Sequence, residues 1–377
     1  MNANYNIIIV GGGLAGLTSA LHLSKNNLSV LVIEKNAYPN HKVCGEYVSN
    51  EVLPYLASLN IYPLKHQAKQ IDKLILSSKT GAYLQQQLPL GGFGISRYCL
   101  DHLLAKKVKE TSTIIEETVV KINFEENLFT VITSDGASFS SQYVIGAFGK
   151  RSNMDKTLDR DFASKKSPWL AVKAHYKAAF PDDVVALHHF NGGYCGLSKV
   201  ENNLVNMCYL ANYNVFKTHK SIPEFEQKEL SKNPFLKEFL HQAIPVFERP
   251  LTISQISFET KKPVENHILM AGDSAGLIHP LCGNGMAMAI HSAKILSEII
   301  ITFYNSKSIA RESLEKEYTQ KWNATFKSRL KTASVLQKMF IRPGFLYVGI
   351  QTAIRFPGIV PKIIQKTHGK TIHDLNP

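Results

Sequence analysis

The chain has 377 residues, 44% apolar and 19% charged, a balance that supports packed cores and excludes disorder as the default state. The formal net charge is +13, yet no helix-turn-helix, zinc-finger or RNP pattern accompanies it, so nucleic acid is excluded as the expected partner. Cys44, Cys99, Cys195, Cys208 and Cys282 form no CxxC pair and are odd in number, which argues against a disulfide framework, a zinc site or an iron–sulfur cluster and points to a reducing cytoplasm.

No basic region or separate apolar stretch precedes the first strand, so no export signal is expected. "NIIIVGGGLAG", Asn6 to Gly16, reads as a strand (Asn6 to Val10), a glycine turn and a helix from Leu14 to Lys25. "LSVLVIEK" follows as a second strand ending in Glu34. Gly11, Gly13 and Gly16 fit G-x-G-x-x-G in this strand–turn–helix context, and Glu34 lies 18 residues after Gly16. Each has a physical task. Gly11 permits the tight turn, Gly13 lets the backbone approach a pyrophosphate, and Gly16 brings helix close to strand. Leu14 and Ala15 open the helix whose N–H groups and positive dipole end face that anion, and the Glu34 carboxylate accepts from ribose hydroxyls.

Residues 163 to 260 read as an antiparallel sheet: "WLAVKAHYKA", "VVALHHF", "GYCGLSKVENNLVNMCYLA" and "PLTISQISFE" are rich in β-branched and aromatic residues, with turn chemistry at Pro181-Asp182 and Asn202-Asn203. Between these strands, Ile222 to Ala243 reads as helical. "ENHILMAGDSAGLIHPLCGNGMAMAIHSAKILSEII" then reads as a strand (His267 to Ala271), a turn at Gly272-Asp273, and a glycine-bearing loop opening a long helix from about Gly285.

That last segment resembles the second dinucleotide signature of the FAD-dependent hydroxylase superfamily. The resemblance implies that Asp273 of the Gly272-Asp273 pair binds the ribityl chain, that Pro280 flanks the flavin ring, and that Gly283, Asn284 and Gly285 present N–H groups to its anionic edge. "GISRYCLDHLLAKKV" is similar to the family's Arg-x-x-Leu helix start, which implies that Arg97 reaches toward the cofactor. "SQYVIGAFGKRSN" resembles the strand ending in Gly-Ala-Asp-Gly, with Gly149 as the last glycine but Phe148 in place of the aspartate. In the aromatic hydroxylases that aspartate is linked to nicotinamide binding, so NAD(P)H is only a candidate electron donor here.

The resemblance implies an α/β fold: a Rossmann-like, glutathione reductase-type FAD domain in two parts (1–160 and 262–300), an inserted α+β antiparallel-sheet substrate domain (161–261) and a C-terminal helical segment (301–377). It extends to geranylgeranyl reductases and FixC-like flavoproteins, because "KVCGEYVS" (Lys42 to Ser49) sits where they carry a Pro-Cys-Gly loop beside the flavin, and "GGYCGLSKVENNLVNMCYL" is similar to their strand pair. Cys44 and Glu46 are the candidate catalytic residues on that loop, Glu46 as a proton relay; His279, beside Pro280, is the third. No metal is assigned.

The expected activity is therefore that of an FAD-dependent oxidoreductase on a hydrophobic small molecule (isoprenoid, polyketide or phenolic lipid), by monooxygenation or by C=C reduction or dehydrogenation. An electron-transfer flavoprotein serving a quinone or a partner protein is the alternative. Halogenation is a minor one: with only Trp169 and Trp322, the chain has no Trp-x-Trp-x-Ile-Pro segment.

The tail carries the charge asymmetry. From Lys321 onward there are ten Lys or Arg and one acid, Asp374, so this stretch supplies 10 − 1 = +9 of the +13. The cations interleave with "MFIRPGFLYVGIQTAIRFPGIVPKII", including Phe340, Phe345, Leu346 and Tyr347, too interrupted by Arg342, Arg355 and prolines to span a bilayer. Two readings stand: peripheral contact with an anionic membrane at its cytoplasmic face, or a helical lid whose apolar side packs on the protein.

Overall fold

The β-branched run after Tyr5 becomes the centre of a sheet because it is hydrophobic on both faces and finds partners on both edges. In a computed structural model that describes residues 3–306, 310–340 and 343–373, the strand Ala3–Val10 pairs in parallel with Val30–Glu34 on one side and Ser138–Gly146 on the other. Thr113–Glu116 and Ile268–Met270 extend this parallel layer outward. Ile7, Ile8 and Ile9 are fully buried within it. The helices Leu14–Lys25 and Gly285–Ser306 pack together against the sheet, which brings the two sequence-distant glycine signatures side by side. The architecture is thus the mixed α/β FAD-binding fold expected, with C-terminal helices.

A second, nine-stranded sheet is mostly antiparallel. Trp169–Lys177, Val184–Phe190, Gly193–Lys199, Val205–Asn212 and Leu251–Ser254 belong to it. So do Tyr47–Ser49, Lys69–Ser77 and Tyr83–Gly94, which come from the first part of the chain. Lys69–Ser77 joins by a parallel pairing with Val184–Phe190. These early strands alternate apolar and polar residues, so their buried side is visible only once the larger sheet is present.

The two faces of this sheet have different tasks. One is covered by short helices carrying Phe225, Leu236 and Phe239. The stretch read as one helix over Ile222 to Ala243 is two, Ile222–Lys228 and Pro234–Gln242. Asn233 and Pro234 cause the break: Asn233 Oδ1 caps the second helix by accepting from the Phe235 N–H at 3.0 Å, while its Nδ2 donates to Ser77 Oγ, Ser78 O and His189 O.

The opposite face carries Leu74, Leu84, Leu88 and Leu210, and against it lie Ile350, Ala353, Val360 and Ile364 of the C-terminal helices Pro343–Arg355 and Ile359–Thr367. One side of the basic tail is thus a packed cover. The side chains of Phe340 and Leu346, and all of Arg342 and Asp374, lie outside the described residues. Gly285–Ser306 is long and apolar enough to cross a membrane, but 61% of its most apolar window is buried in the protein, as befits a core helix.

Gly16 is the tightest point of the layer. A methyl group there would stand 2.0 Å from the Gly11 carbonyl oxygen, with rigid backbone on both sides. Gly16→Ala is expected to cost about 1–3 kcal/mol or more in urea denaturation of the cofactor-free protein. Gly349→Ala, in a helix with nothing within 4 Å of the new methyl, is expected to be neutral or stabilising by up to about 1 kcal/mol.

Candidate active site

The glycine loop divides its labour among its members. Gly11 has φ +105°, and a Cβ on it would stand 2.4 Å from the Ala147 carbonyl oxygen. Gly11 and Gly16 are therefore required by chain packing. Gly13 alone of the three faces open space, the nearest atom to its missing Cβ being Arg97 Nη2 at 3.6 Å. No side chain caps the helix that starts at Leu14, so its first N–H groups are directed into a cavity of about 640 Å3 lined by Gly13, Leu14 and Ala15.

Glu34 stands at the strand end behind this loop. Its Oε2 accepts from the Gly12 N–H at 2.7 Å and its Oε1 from the Asn36 N–H at 3.2 Å. Tyr38, which sequence reasoning passed over, crosses the loop and donates its hydroxyl to Gly12 O at 2.5 Å. Arg97 opens the helix Arg97–Val108 and is held by a bidentate pair to Asp101, both bonds 2.7 Å. Burial pushes the Asp101 carboxyl up, but the charges of Arg97 and Lys42 outweigh it and hold the group below the usual carboxylate range. Arg97 is thereby a fixed cation on the cavity wall.

The loop 43–46 is pinned residue by residue. Lys150 Nζ donates to Val43 O at 2.9 Å, Asn206 Nδ2 to Cys44 O at 3.2 Å, and Ser198 Oγ to Gly45 O at 3.3 Å. Glu46, fully buried and at φ +55°, is gripped most firmly. Its Oε1 accepts from Lys173 Nζ and the Arg97 N–H, both at 2.8 Å, and its Oε2 lies 2.6 Å from His175 Nε2. Burial raises the carboxyl's pKa, while the Lys173 charge and the His175 hydrogen bond outweigh it, and the net direction is downward. Glu46 is thus a paired carboxylate. Cys44 and Glu46 both line the cavity, the Cys44 thiol 3.4 Å from Met286 Sδ.

The second signature closes the same cavity. Gly149, Gly272, Asp273, Pro280, Gly283 and Gly285 line it, and Asn284 is fully buried just before the helix Gly285–Ser306. Gly283 has φ +62°, the turn from which that helix starts. Lys261 Nζ donates to Asp273 O at 2.7 Å, and burial lowers its pKa to about 8. His279 lies elsewhere: it stacks on Phe258 at 3.7 Å, outside the lining residues, and burial lowers its pKa to about 3. Phe148 packs against the core of the parallel layer.

Beyond these loops the wall becomes apolar. Leu74, Leu84, Leu187 and Leu210 come from the second sheet, and Ile350, Val360 and Ile364 from the C-terminal helices. Cys208 is on this wall, with burial pushing its thiol up to about 12, so it stays protonated. Sequence reasoning missed Lys173 and His175. The available signal was a lysine and a histidine at i and i+2 in the mostly apolar strand "WLAVKAHYKA": alternation puts both on one face, where a buried lysine requires an acid.

Two helix N-termini and an open glycine edge make one end of this cavity a cradle for phosphate and for an anionic ring, which fits FAD. The comparisons agree. A family model described as FAD dependent oxidoreductase matches residues 6–71, and one described as FAD binding domain matches residues 95–331. The chain is 25% identical over 366 residues to digeranylgeranylglycerophospholipid reductase of Methanococcus vannielii, covering 90% of this chain and 88% of that one. Its fold is similar to that of the flavin-dependent brominase Bmp2 (TM-score 0.78, 15% identity, 97% of this chain and 95% of that one). It is also similar to pqsL, a probable FAD-dependent monooxygenase from Pseudomonas aeruginosa (TM-score 0.75, 15% identity, 93% and 100%). The protein belongs to the FAD-binding-domain family and is an FAD-dependent oxidoreductase.

Proposed function

We propose that the protein reduces carbon–carbon double bonds in an isoprenoid-like lipid that it takes from an anionic membrane surface. The observation that carries this reading is the cavity itself: polar and glycine-rich where the two helix N-termini meet, apolar along its remaining wall, and roofed by the C-terminal helices. A long apolar chain desolvates well along such a wall, at roughly 25 cal/mol per Å2 buried. The Methanococcus relative, by its name, acts on a lipid with unsaturated isoprenoid chains, in keeping with this reading. Monooxygenation would use the same cavity, and dependence on O2 separates the two.

In this reading Gly13, Leu14 and Ala15 hold the FAD pyrophosphate on the helix dipole, with Gly11 and Gly16 shaping the turn, and Glu34 takes the adenosine ribose. Asp273 binds the ribityl hydroxyls. Arg97, Gly149, Gly272 and Pro280 border the cofactor, and Gly283, Asn284 and Gly285 face the ring. Bound and reduced, FAD supplies a hydride. The chain's own part is to align the alkene, exclude water from the apolar wall, and deliver a proton. Cys44 places its Sγ at the cavity wall, where it can hand on a proton, and Glu46, as a carboxylate, keeps the loop in place and accepts and passes protons. His279, stacked and neutral, shapes the segment before Pro280. With Phe148 where the family's aspartate stands, a donor other than NAD(P)H is favoured.

The outer surface of the roof supports membrane delivery. Tyr347, Ile354 and Phe356 are exposed there, and Lys338, Arg355, Lys362 and Lys366 are exposed around them. Apolar side chains enter the lipid interface while the cations meet anionic headgroups, each worth up to about 1 kcal/mol. All five cysteines are free, which accords with the cytoplasmic face of a membrane.

Asp273→Ala is expected to weaken FAD binding by about 1–3 kcal/mol, read by fluorescence titration; an unchanged dissociation constant removes its assigned role. Under anaerobic conditions the reduced enzyme is expected to saturate an isoprenoid alkene, detected by mass spectrometry, and Cys44→Ser is expected to lower that rate at undiminished FAD content. Oxygen-dependent product instead indicates monooxygenation, and electron delivery only to a quinone or protein indicates electron transfer. Ile354→Asp with Phe356→Asp is expected to reduce co-sedimentation with anionic vesicles at least about tenfold, since each apolar side chain contributes about 1.5–3 kcal/mol, without lowering the melting temperature. Retention equal to that of the wild type counts against membrane delivery.

A further inference from the structure

Reduction of an alkene consumes a proton at every turnover, and the cavity wall offers little to replace it. Its lining is apolar over most of its extent, and Lys150, which also lines it, is bonded to Val43 O. A group of titratable side chains centred on Glu46 leads away from the wall. Next to Glu46, and outside the cavity lining, lie His175 and then His41.

The geometry is continuous. Glu46 Oε2 is 2.6 Å from His175 Nε2. The His175 ring meets the His41 ring edge-on, with centroids 5.1 Å apart, and potential proton-carrying atoms of His41, Glu46 and His175 all lie within 4.8 Å of one another. A single water molecule bridges a gap of that size. His41 is half-buried, its Nδ1 is buried and has no hydrogen-bond partner among the described residues, and its ring stacks at 4.6 Å on the exposed Tyr98. Phe247 packs on both imidazoles and on the Lys173 ammonium. The row therefore runs from the surface at His41, through buried His175, to the carboxylate on the cavity wall, with aromatic rings along its side.

We propose that His41, His175 and Glu46 form a proton conduit that carries protons from solvent to the cavity where the flavin and its substrate react. The proposal rests on the reductase reading for its purpose. In the step it serves, the π bond of the alkene breaks, one carbon gains a hydride from reduced FAD, and the other gains a proton through the cavity-wall groups. A proton then passes from His175 to the Glu46 carboxylate and on to the cavity-wall group that gave one up, which leaves Glu46 ionised again, and His41 reloads His175 from solvent. Lys173 is a positioning residue: its ammonium fixes Glu46 Oε1 and leaves Oε2 to His175. The same ammonium disfavours a divalent cation among His41, Glu46 and His175, because it already occupies the carboxylate. Burial, with the charges of Lys173 and His175, lowers His41 to about 4, so its ring is neutral at neutral pH and able to accept on one nitrogen while donating from the other.

The test follows proton uptake, which needs no organic substrate. FAD-loaded protein is photoreduced by an external photosensitiser in weakly buffered solution containing a pH indicator, and proton uptake is timed against bleaching of the flavin. In the wild type the two are expected to coincide. In His41→Phe and in His175→Gln, proton uptake is expected to lag about tenfold or more behind the wild type, and imidazole is expected to restore His175→Ala. A wild-type uptake rate in either His41→Phe or His175→Gln overturns the conduit. His41→Phe alters a half-buried edge and decides the matter alone if the His175 variants fail to fold. Should the wild type reduce no alkene while the variants still lag, the substrate reading fails and the conduit stands.

Discussion

The buried carboxylate of Glu46 is the point on which the site depends. It belongs to the loop of the dinucleotide-binding half, yet its partners Lys173 and His175 are on the strand Trp169–Lys177 of the second sheet, and the Arg97 N–H starts a helix of the first. One side chain therefore fixes two sheets and a helix relative to each other. Removing one partner of such a fully desolvated pair typically costs about 3–5 kcal/mol, because the remaining charge is left in low dielectric. The cost of desolvating Lys173 and Glu46 is offset by geometry: both oxygens of the carboxylate are hydrogen-bonded. The positive φ of Glu46, unusual for a side chain of this kind, is held by the same contacts.

With the loop held, the cavity is a joint product of elements far apart in the chain. Its polar end comes from helix starts near residues 13 and 285, its wall from the second sheet, and its roof from residues beyond 335. The roof is bound at its far end as well. Gly369 donates its N–H to Glu51 at 2.5 Å and Ile372 donates to Glu51 O at 2.7 Å, so residues 369–372 return to the base of the loop region. The two readings of the basic tail meet in this arrangement: Ile350 and Ile364 face inward and are buried, while Phe356 and Arg355 face outward. An amphipathic helix satisfies both when one stripe meets protein and another is left exposed.

What could be read in the chain and what could not differ by the range of the interaction. The first strand, the helix Leu14–Lys25 and the helix from Gly285 were legible because local backbone chemistry demands them: glycines where a Cβ would strike a carbonyl, β-branched runs, and a helix with no competing breaker. The antiparallel strands after residue 163 were legible by composition. Asn233-Pro234 was not recognised as a helix boundary, although Pro at the first helical position after an Asn is a local start signal. The strands Lys69–Ser77 and Tyr83–Gly94 were assigned no sheet, since their alternation fits any half-buried strand and the partner that ties Lys69–Ser77 to the larger sheet lies over a hundred residues away.

By itself the sequence determined the cofactor class and the chemistry at hand: a pyrophosphate loop, an acid at a strand end, a second glycine signature, and a loop bearing a thiol and a carboxylate. These are patterns of a few residues whose physical purpose is local, so spacing is enough to read them. Only the tertiary structure decided which charges share a site. Glu46 could be a solvated acid or a buried one, and Lys173 and His175 could be ordinary strand residues, until the second sheet brought the two of them within 2.6–2.8 Å of the Glu46 carboxylate. The same holds for His279, near a signature proline in sequence but stacked on Phe258 in space. Electrostatic pairing and burial depend on distances across the fold, and no spacing along the chain encodes them.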